Sequence, residues 1–408
     1  MIQKLKYISS LDLIYATCAV IALNTFFYFE GGAKESIIKL GVMGIAPIIF
    51  ILRTPSISLA VITGLGYWIW CYFSSLFTGE QRFSTLGFLG MYVITFVVYY
   101  NLLHQGVFSF AYFKRLLRFL IMAFGVVLVM QQICMLLGIY NMPIANLHNQ
   151  YFLSIDKLHS LTLEPSHSAR VLAVLSLCYW RMYELECGQR PTLRELLNGE
   201  MRWPTILFLW SMLTMGSGTA FVALGLLSLY FITRHTVIYV IPFLCLMFVA
   251  AESLELTQYE RAKKLAEASL TGDVKKMDEA EGSGSARAKP IVNTLTKTDL
   301  FVFDTWVGHG TAKIDPRWWK RNNQKLGVIE QYGMIGFIIS MFFIYYCVIR
   351  RFFSIETLIF LFLFGMSVGN VYYVWGCYML FAGVRCFQEL EEREQSDLIT
   401  EEDTPADE

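Results

Sequence analysis

Charge is what this chain has least of. Asp, Glu, Lys and Arg make up 16% of its 408 residues, against about 25% in soluble domains. Hydrophobic residues reach 55% and the mean hydropathy is +0.49. A surface wetted on all sides is excluded, and a bilayer is the solvent that fits. Several short signatures are missing too: no D-x-D pair for a divalent cation, no P-loop, no H-E-x-x-H helix and no C-x-x-C. Metal-dependent sugar transfer is disfavoured on that ground. No internal repeat marks a transporter built from duplicated halves. The start, MIQKLKYISS, leads into an apolar run without an A-x-A site, which reads as an uncleaved first span. Of nine cysteines, Cys18, Cys71, Cys134, Cys178, Cys245, Cys347 and Cys377 lie in apolar runs, and Cys187 and Cys386 in segments assigned below to the cytoplasm. Neither a disulfide nor a thiolate metal site is expected.

What is present is apolar sequence of membrane-spanning length. A spanning helix needs about 20 mostly apolar residues, and that ruler gives about twelve runs: 11–29, 37–52, 56–78, 85–103, 116–140, 163–181, 203–216, 218–233, 236–254, 326–349, 355–369 and 371–386. The expected fold is an all-α integral membrane protein with about twelve spans. Its parts are spans 1–9 over 1–254, a large loop over 255–325, spans 10–12 over 326–387, and an acidic tail over 388–408 that reads as disordered. Short loops rich in Lys and Arg stay in the cytoplasm. Arg53, Lys114, Arg115, Arg118, Arg181, Arg190, Arg350, Arg351 and Arg385 then share one side with both termini, and the long loop is periplasmic.

That loop is the one long hydrophilic passage. Its first half, Leu256 to Asp278, has the composition of a polar surface helix. Its second half carries Arg287, Lys289, Lys297, Lys313, Arg317, Lys320, Arg321 and Lys325 against Asp299, Asp304 and Asp315, a surface for an anion. Pro290 near a helix start places Arg287 at the beginning of a helix.

Four motifs are candidates for chemistry. In LTLEPSHSARVLAVL, Pro165 marks a first helical position and Glu164 the cap before it; spacing of three puts Glu164, His167 and Arg170 on one side of the helix. Ionisable residues at membrane depth face a cavity or a partner. Either Glu164 is a cap, with Arg170 paired to it or to another buried acid, or the helix start and Arg170 hold phosphate oxygens while Glu164 or His167 acts as a base. Arg287 can hold a diphosphate bidentately. VGHGT allows a tight turn presenting His309. Met215-Gly-Ser-Gly-Thr219 reads first as helix packing.

These parts, in this order, resemble the O-antigen polymerase and O-antigen ligase superfamily, Wzy and WaaL, of the bacterial inner membrane. EPSHSA resembles the E-P-S-x-x-A helix start common among polymerases, and GSGTAFVALGLL their S-x-G/T-A stretch. Arg287-x-x-x-Ile291, Gly308-His309-Gly310 and Asn322-Asn323-x-x-Leu326 ahead of Gly333-Met334-Ile335-Gly336 resemble that family's arginine motif, G-x-G turn, H-N-x-x-L and G-L-I-G. The ligase's closing histidine corresponds here to Asn322, and the S-R-G arginine is absent, with Gly218 after Ser217. Both departures favour polymerase over ligase.

The resemblance implies a fold of the membrane-embedded glycosyltransferase type, an undecaprenyl-diphosphate-linked glycan as donor, a sugar hydroxyl as acceptor, and no metal or cofactor. It implies polymerisation of repeat units into O-antigen or capsular-type polysaccharide. A chain-length regulator and a flippase are the protein partners it suggests, and nucleic acid is not one. Catalytic candidates are Glu164, then His309, then His167; substrate-binding candidates are Arg170, Arg287, Arg317, Arg321, Asn322 and Asn323. A ligase acting on lipid A core or protein, and a flippase of lipid-linked oligosaccharides, stay open as alternatives.

Overall fold

In lipid each backbone N–H and C=O must pair within its own segment, which leaves the helix as the economical answer to runs this apolar. The computed structural model agrees: among the described residues there is no strand. These are residues 9–26, 36–53, 58–78, 82–139, 157–232, 285–310 and 325–402, with isolated positions at 238, 242, 245, 246, 249, 263 and 267. Apart from those isolated positions, the expected span at 236–254 and the polar helix at 256–278 lie outside them. The helices are α1 (Ser10–Asn24), α2 (Ile37–Leu52), α3 (Leu59–Thr78), α4 (Phe83–His104), α5 (Phe110–Leu136), α6 (Pro165–Cys187), α7 (Leu193–Leu196), α8 (Arg202–Thr214), α9 (Gly218–Ser228), α10 (Ser285–Lys297), α11 (Phe303–Val307), α12 (Gly327–Cys347), α13 (Ile355–Phe362) and α14 (Tyr372–Glu402).

Side-chain and backbone bonds sort the helix ends into two groups. Taking the N-terminus of α1 as the lower end, the lower group is ionic. Arg53 pairs with Asp12, Lys114 with Glu186 and Glu200, Arg181 with Glu356 at 2.9 Å, and Arg350 with Glu392. Arg385 Nη1 donates to the Tyr345 and Ile349 carbonyls at the end of α12. The upper group is held by backbone acceptors: the Phe26 N–H donates to the Leu161 carbonyl at 2.6 Å, Asn370 to Thr85, Ser74 to Val307 and the Tyr67 hydroxyl to Val368. The arginines and lysines read as cytoplasmic that fall on described residues thus gather at one end of the bundle.

Among the described residues, four helices are long and apolar enough to cross a membrane: Leu59–Phe77, Phe83–His104, Phe110–Leu136 and Gly327–Cys347. The fold is compatible with a helical membrane protein. α6 is long as well but more polar; its residues Val171–Trp180 are buried against neighbouring helices, so lipid is not what it faces. Large apolar side chains do point outward elsewhere, including Ile48, Ile51, Phe73, Phe77, Leu136, Trp210 and Phe342, a belt that water would penalise.

Besides α5, which starts six residues before the expected 116, and α6, which ends six residues after the expected 181, three runs differ from the sequence reading. The run at 355–369 forms only an eight-residue helix, α13, which then unwinds through Gly365 and Met366 at positive φ; at 1.5 Å per residue it is too short to cross alone. The run at 218–233 is eleven α-helical residues and one 3-10 turn. The last helix does not stop at 386. It continues to Glu402, so the stretch read as a disordered tail is helical over 388–402. Acidic composition suggested disorder, but Glu, Gln, Leu and Arg are good helix formers, and Arg385 pairs with Glu389 one turn on at 2.7 Å.

Candidate functional site

At the upper end, two segments turn sequence motifs into geometry. The first is the entry to α6. Residues 158–163 fold inward instead of crossing the surface. Ser160 exchanges hydrogen bonds with the Gln131 side chain on α5, donating from its N–H at 2.8 Å, and its hydroxyl donates to the Phe124 carbonyl. His159 is buried here, and burial pushes its imidazole below the ordinary range. The turn delivers Glu164 to the cap position with Pro165 as the first helical residue, as the E-P pair predicts.

Two details correct the capping reading. Glu164 makes no side-chain cap bond; its carboxylate is half exposed, accepts from Ser166 Oγ at 3.3 Å and lies 3.7 Å from His167 Nε2. Arg170 does not pair with Glu164. Its Nη1 donates to the Tyr373 hydroxyl, its guanidinium lies 5.4 Å from the centre of that ring, and its Nε is buried with no hydrogen-bond partner. His167 stacks on the same tyrosine at 4.3 Å. His167 and Arg170 therefore meet on Tyr373 at the start of α14, with Glu164 beside His167.

That neighbourhood holds residues the sequence reading passed over. Tyr372 packs edge-on to Tyr373 at 5.6 Å and against Phe26 at 5.5 Å. Lys39, in the first turn of α2 and only 2% exposed, lies 5.3 Å from the Tyr372 ring and 5.7 Å from Phe26, within the range of a cation–π contact. A lysine inside an apolar run was the available signal for it. Nothing local in the sequence pairs α2 with the start of α14.

The second segment joins α11 to α12. α12 is broken at Gly333, whose φ of 72° and ψ of −179° interrupt the helical ladder. The carbonyls of Glu330, Gln331 and Tyr332 are then satisfied from outside: by the His309 N–H at 2.8 Å, the Gly310 N–H at 3.0 Å and the Trp70 indole at 2.9 Å. These three acceptors beside the break each find a donor. A Cβ on Gly308 would lie 2.5 Å from the Gly333 nitrogen, and one on Gly333 would strike the Trp306 carbonyl. Two glycine motifs that read as separate are one docked unit, which holds His309 exposed above the start of α12. Glu330 accepts from the Lys325 N–H at 2.9 Å beneath it.

Arg287 is the third residue of α10, which is tied to α12 by the Thr294 hydroxyl accepting from the Leu326 N–H at 2.9 Å; its side chain is not among those described. Arg317, Arg321, Asn322 and Asn323 lie outside the described residues. The Met215–Thr219 stretch is the turn between α8 and α9, with Ser217 at the cap position and making no side-chain cap bond. The two segments are at the same end of the bundle. Tyr67 bridges them, with its ring edge-on to Tyr332 at 6.2 Å and its hydroxyl donating to Val368, four residues before Tyr372.

No family model matches the chain, and no curated protein or solved structure is found similar to it.

Proposed function

We propose that the chain is a membrane-embedded glycosyltransferase that polymerises undecaprenyl-diphosphate-linked repeat units, with its site at the upper end of the bundle and that end in the periplasm. The observation that carries the reading is Arg170: a guanidinium at helix depth, oriented by Tyr373, with Nε buried and unpartnered, nearly two turns from a carboxylate that no cap bond occupies. A buried unsatisfied donor costs about 1–3 kcal/mol, and a phosphate oxygen would relieve it. Lys39 adds a second cation nearby, and the positive end of the α6 dipole favours the same anion.

In the proposed reaction the acceptor hydroxyl oxygen attacks the anomeric carbon of the donor. The bond from that carbon to the diphosphate oxygen breaks, and its electron pair leaves with the diphosphate. Arg170 and Arg287 stabilise the charge that develops, with Arg317 and Arg321 as further cations of the loop. Glu164 takes the hydroxyl proton, with His309 and His167 as the next candidates. Asn322 and Asn323 would bind sugar or phosphate as donors. The basic groups gathered at the lower end, from Arg53 to Arg385, favour a cytoplasmic lower end by the charge rule, with both termini on that side. The test is purified protein incubated with lipid-linked repeat units alone: a ladder of products supports a polymerase, and unchanged substrate points to the ligase or flippase reading.

A further inference from the structure

A second feature of the upper end is apolar where a water-facing loop ought to be polar. Between α10 and α11 the chain turns a corner at LFVF, and Phe301 is 99% exposed and Phe303 67%, with Leu295, Leu300 and Val302 also exposed. The corner is held by its own bonds. The Asp299 carboxylate accepts from the Phe301 N–H at 2.9 Å, and the Trp306 indole donates to the Leu300 carbonyl at 2.8 Å. Those bonds turn the apolar side chains outward, while Thr305 and Val307 supply the inward side.

We propose that this corner is a membrane-contacting tip, seated in the headgroup layer of the leaflet at the upper end. Continuity with the apolar belt identifies the occupant. Val307 accepts from Ser74 near the top of α3, and the turn after it is bonded to the first turn of α12, so the corner stands where two of the membrane-length helices end. The last two turns of α3 expose Tyr72, Phe73, Leu76 and Phe77, and α4 opens with exposed Phe83. Aromatic side chains concentrate at this level of a bilayer because their bodies are apolar and their edges tolerate water. Asp299 and Asp304, both exposed, limit the seat to the interface and keep it out of the hydrocarbon. The consequence is a fixed height for the His309 turn, which follows directly in the chain and which the tip would hold close to the headgroup plane. This inference needs the bilayer but not the glycosyltransferase reading.

The experiment places a nitroxide at Phe301→Cys or Phe303→Cys, in full-length protein with Cys18, Cys187 and Cys245 replaced by Ser so that exposed native thiols do not label. The protein is reconstituted into phosphatidylethanolamine–phosphatidylglycerol vesicles. A label at Gln189→Cys, exposed in the lower loop, is the aqueous reference. Collision with oxygen, which concentrates in lipid, is compared with collision with a water-soluble nickel chelate. The expected result is an oxygen-to-nickel ratio several-fold above the reference at both positions. A ratio equal to the reference would place the tip in water and overturn the inference. Protection from both agents would mean that protein covers it, a second copy or a partner, and would overturn the inference equally.

Discussion

Arg170 and Tyr373 lie 203 positions apart and meet as a donor and its acceptor, with the guanidinium also facing the tyrosine ring at 5.4 Å. The bond fixes the direction in which Nε is left open. Tyr373→Phe keeps the ring and removes the acceptor. The expected outcome is stable protein whose polymerising activity falls about tenfold, the scale of one hydrogen bond to a charged group. Activity rates at matched protein levels check it, and an unchanged rate would reduce Tyr373 to packing.

Loss of Arg170 or Arg287 is expected to cost about 2–4 kcal/mol of transition-state stabilisation, the range for one preorganised donor. Lys at either position should rescue poorly, since it is a point charge where a fork is needed. Near-normal chain lengths in cells carrying Arg287→Ala, at matched protein levels, would remove Arg287 from the site.

Gly333 gives a prediction about stability alone. Its φ of 72° and ψ of −179° lie in a region essentially reserved for glycine, and its Cβ position is filled by the Trp306 carbonyl, so Gly333→Ala combines a backbone penalty of about 1–3 kcal/mol with a clash. The docked turn should come apart. The measured signs would be a lower melting temperature in detergent and new proteolysis near His309. Met334→Ala, one residue on, should show neither.

At the lower end, Arg181 holds Glu356 on α13 and Glu184 on its own helix, with both ends of the Arg181–Glu356 pair mostly buried. Arg181→Ala leaves Glu356 without its partner and is expected to destabilise by about 3 kcal/mol, the lower end of the range for a broken buried pair. A double variant with Glu356→Gln should recover part of that loss. Full additivity of the two would show that the pair is not coupled.

Much of the helical layout could be read from the chain because apolar length and punctuation are local. Pro165 announced the start of α6, and Gly216–Gly218 the turn between α8 and α9. The run at 355–369 misled because composition does not reveal where a helix unwinds; Met366 at positive φ follows from packing, not from residue preference. The candidate site was legible in one half only. Glu164, His167 and Arg170 share a helix, so spacing of three found them. Tyr373, Tyr372 and Lys39 come from other helices, and only the packed bundle brings them together. The docking of Gly308–Gly310 onto the break at Gly333 was equally hidden, because a residue-by-residue reading shows which glycines can adopt positive φ but not which ones meet.

Glu164 is the residue on which the account turns, and its carboxylate makes no cap bond that a substitution would disturb. The most direct measurement is the in vitro ladder from undecaprenyl-diphosphate-linked repeat units, run side by side with wild-type protein and Glu164→Gln at equal amounts of folded, membrane-inserted enzyme. The account predicts a ladder from the wild type and a rate at least about a hundredfold lower from Glu164→Gln, in line with the loss of a general base. A wild-type protein that forms no ladder would contradict the polymerase; a Glu164→Gln protein that forms a normal one, while His309→Ala does not, would move the base to His309.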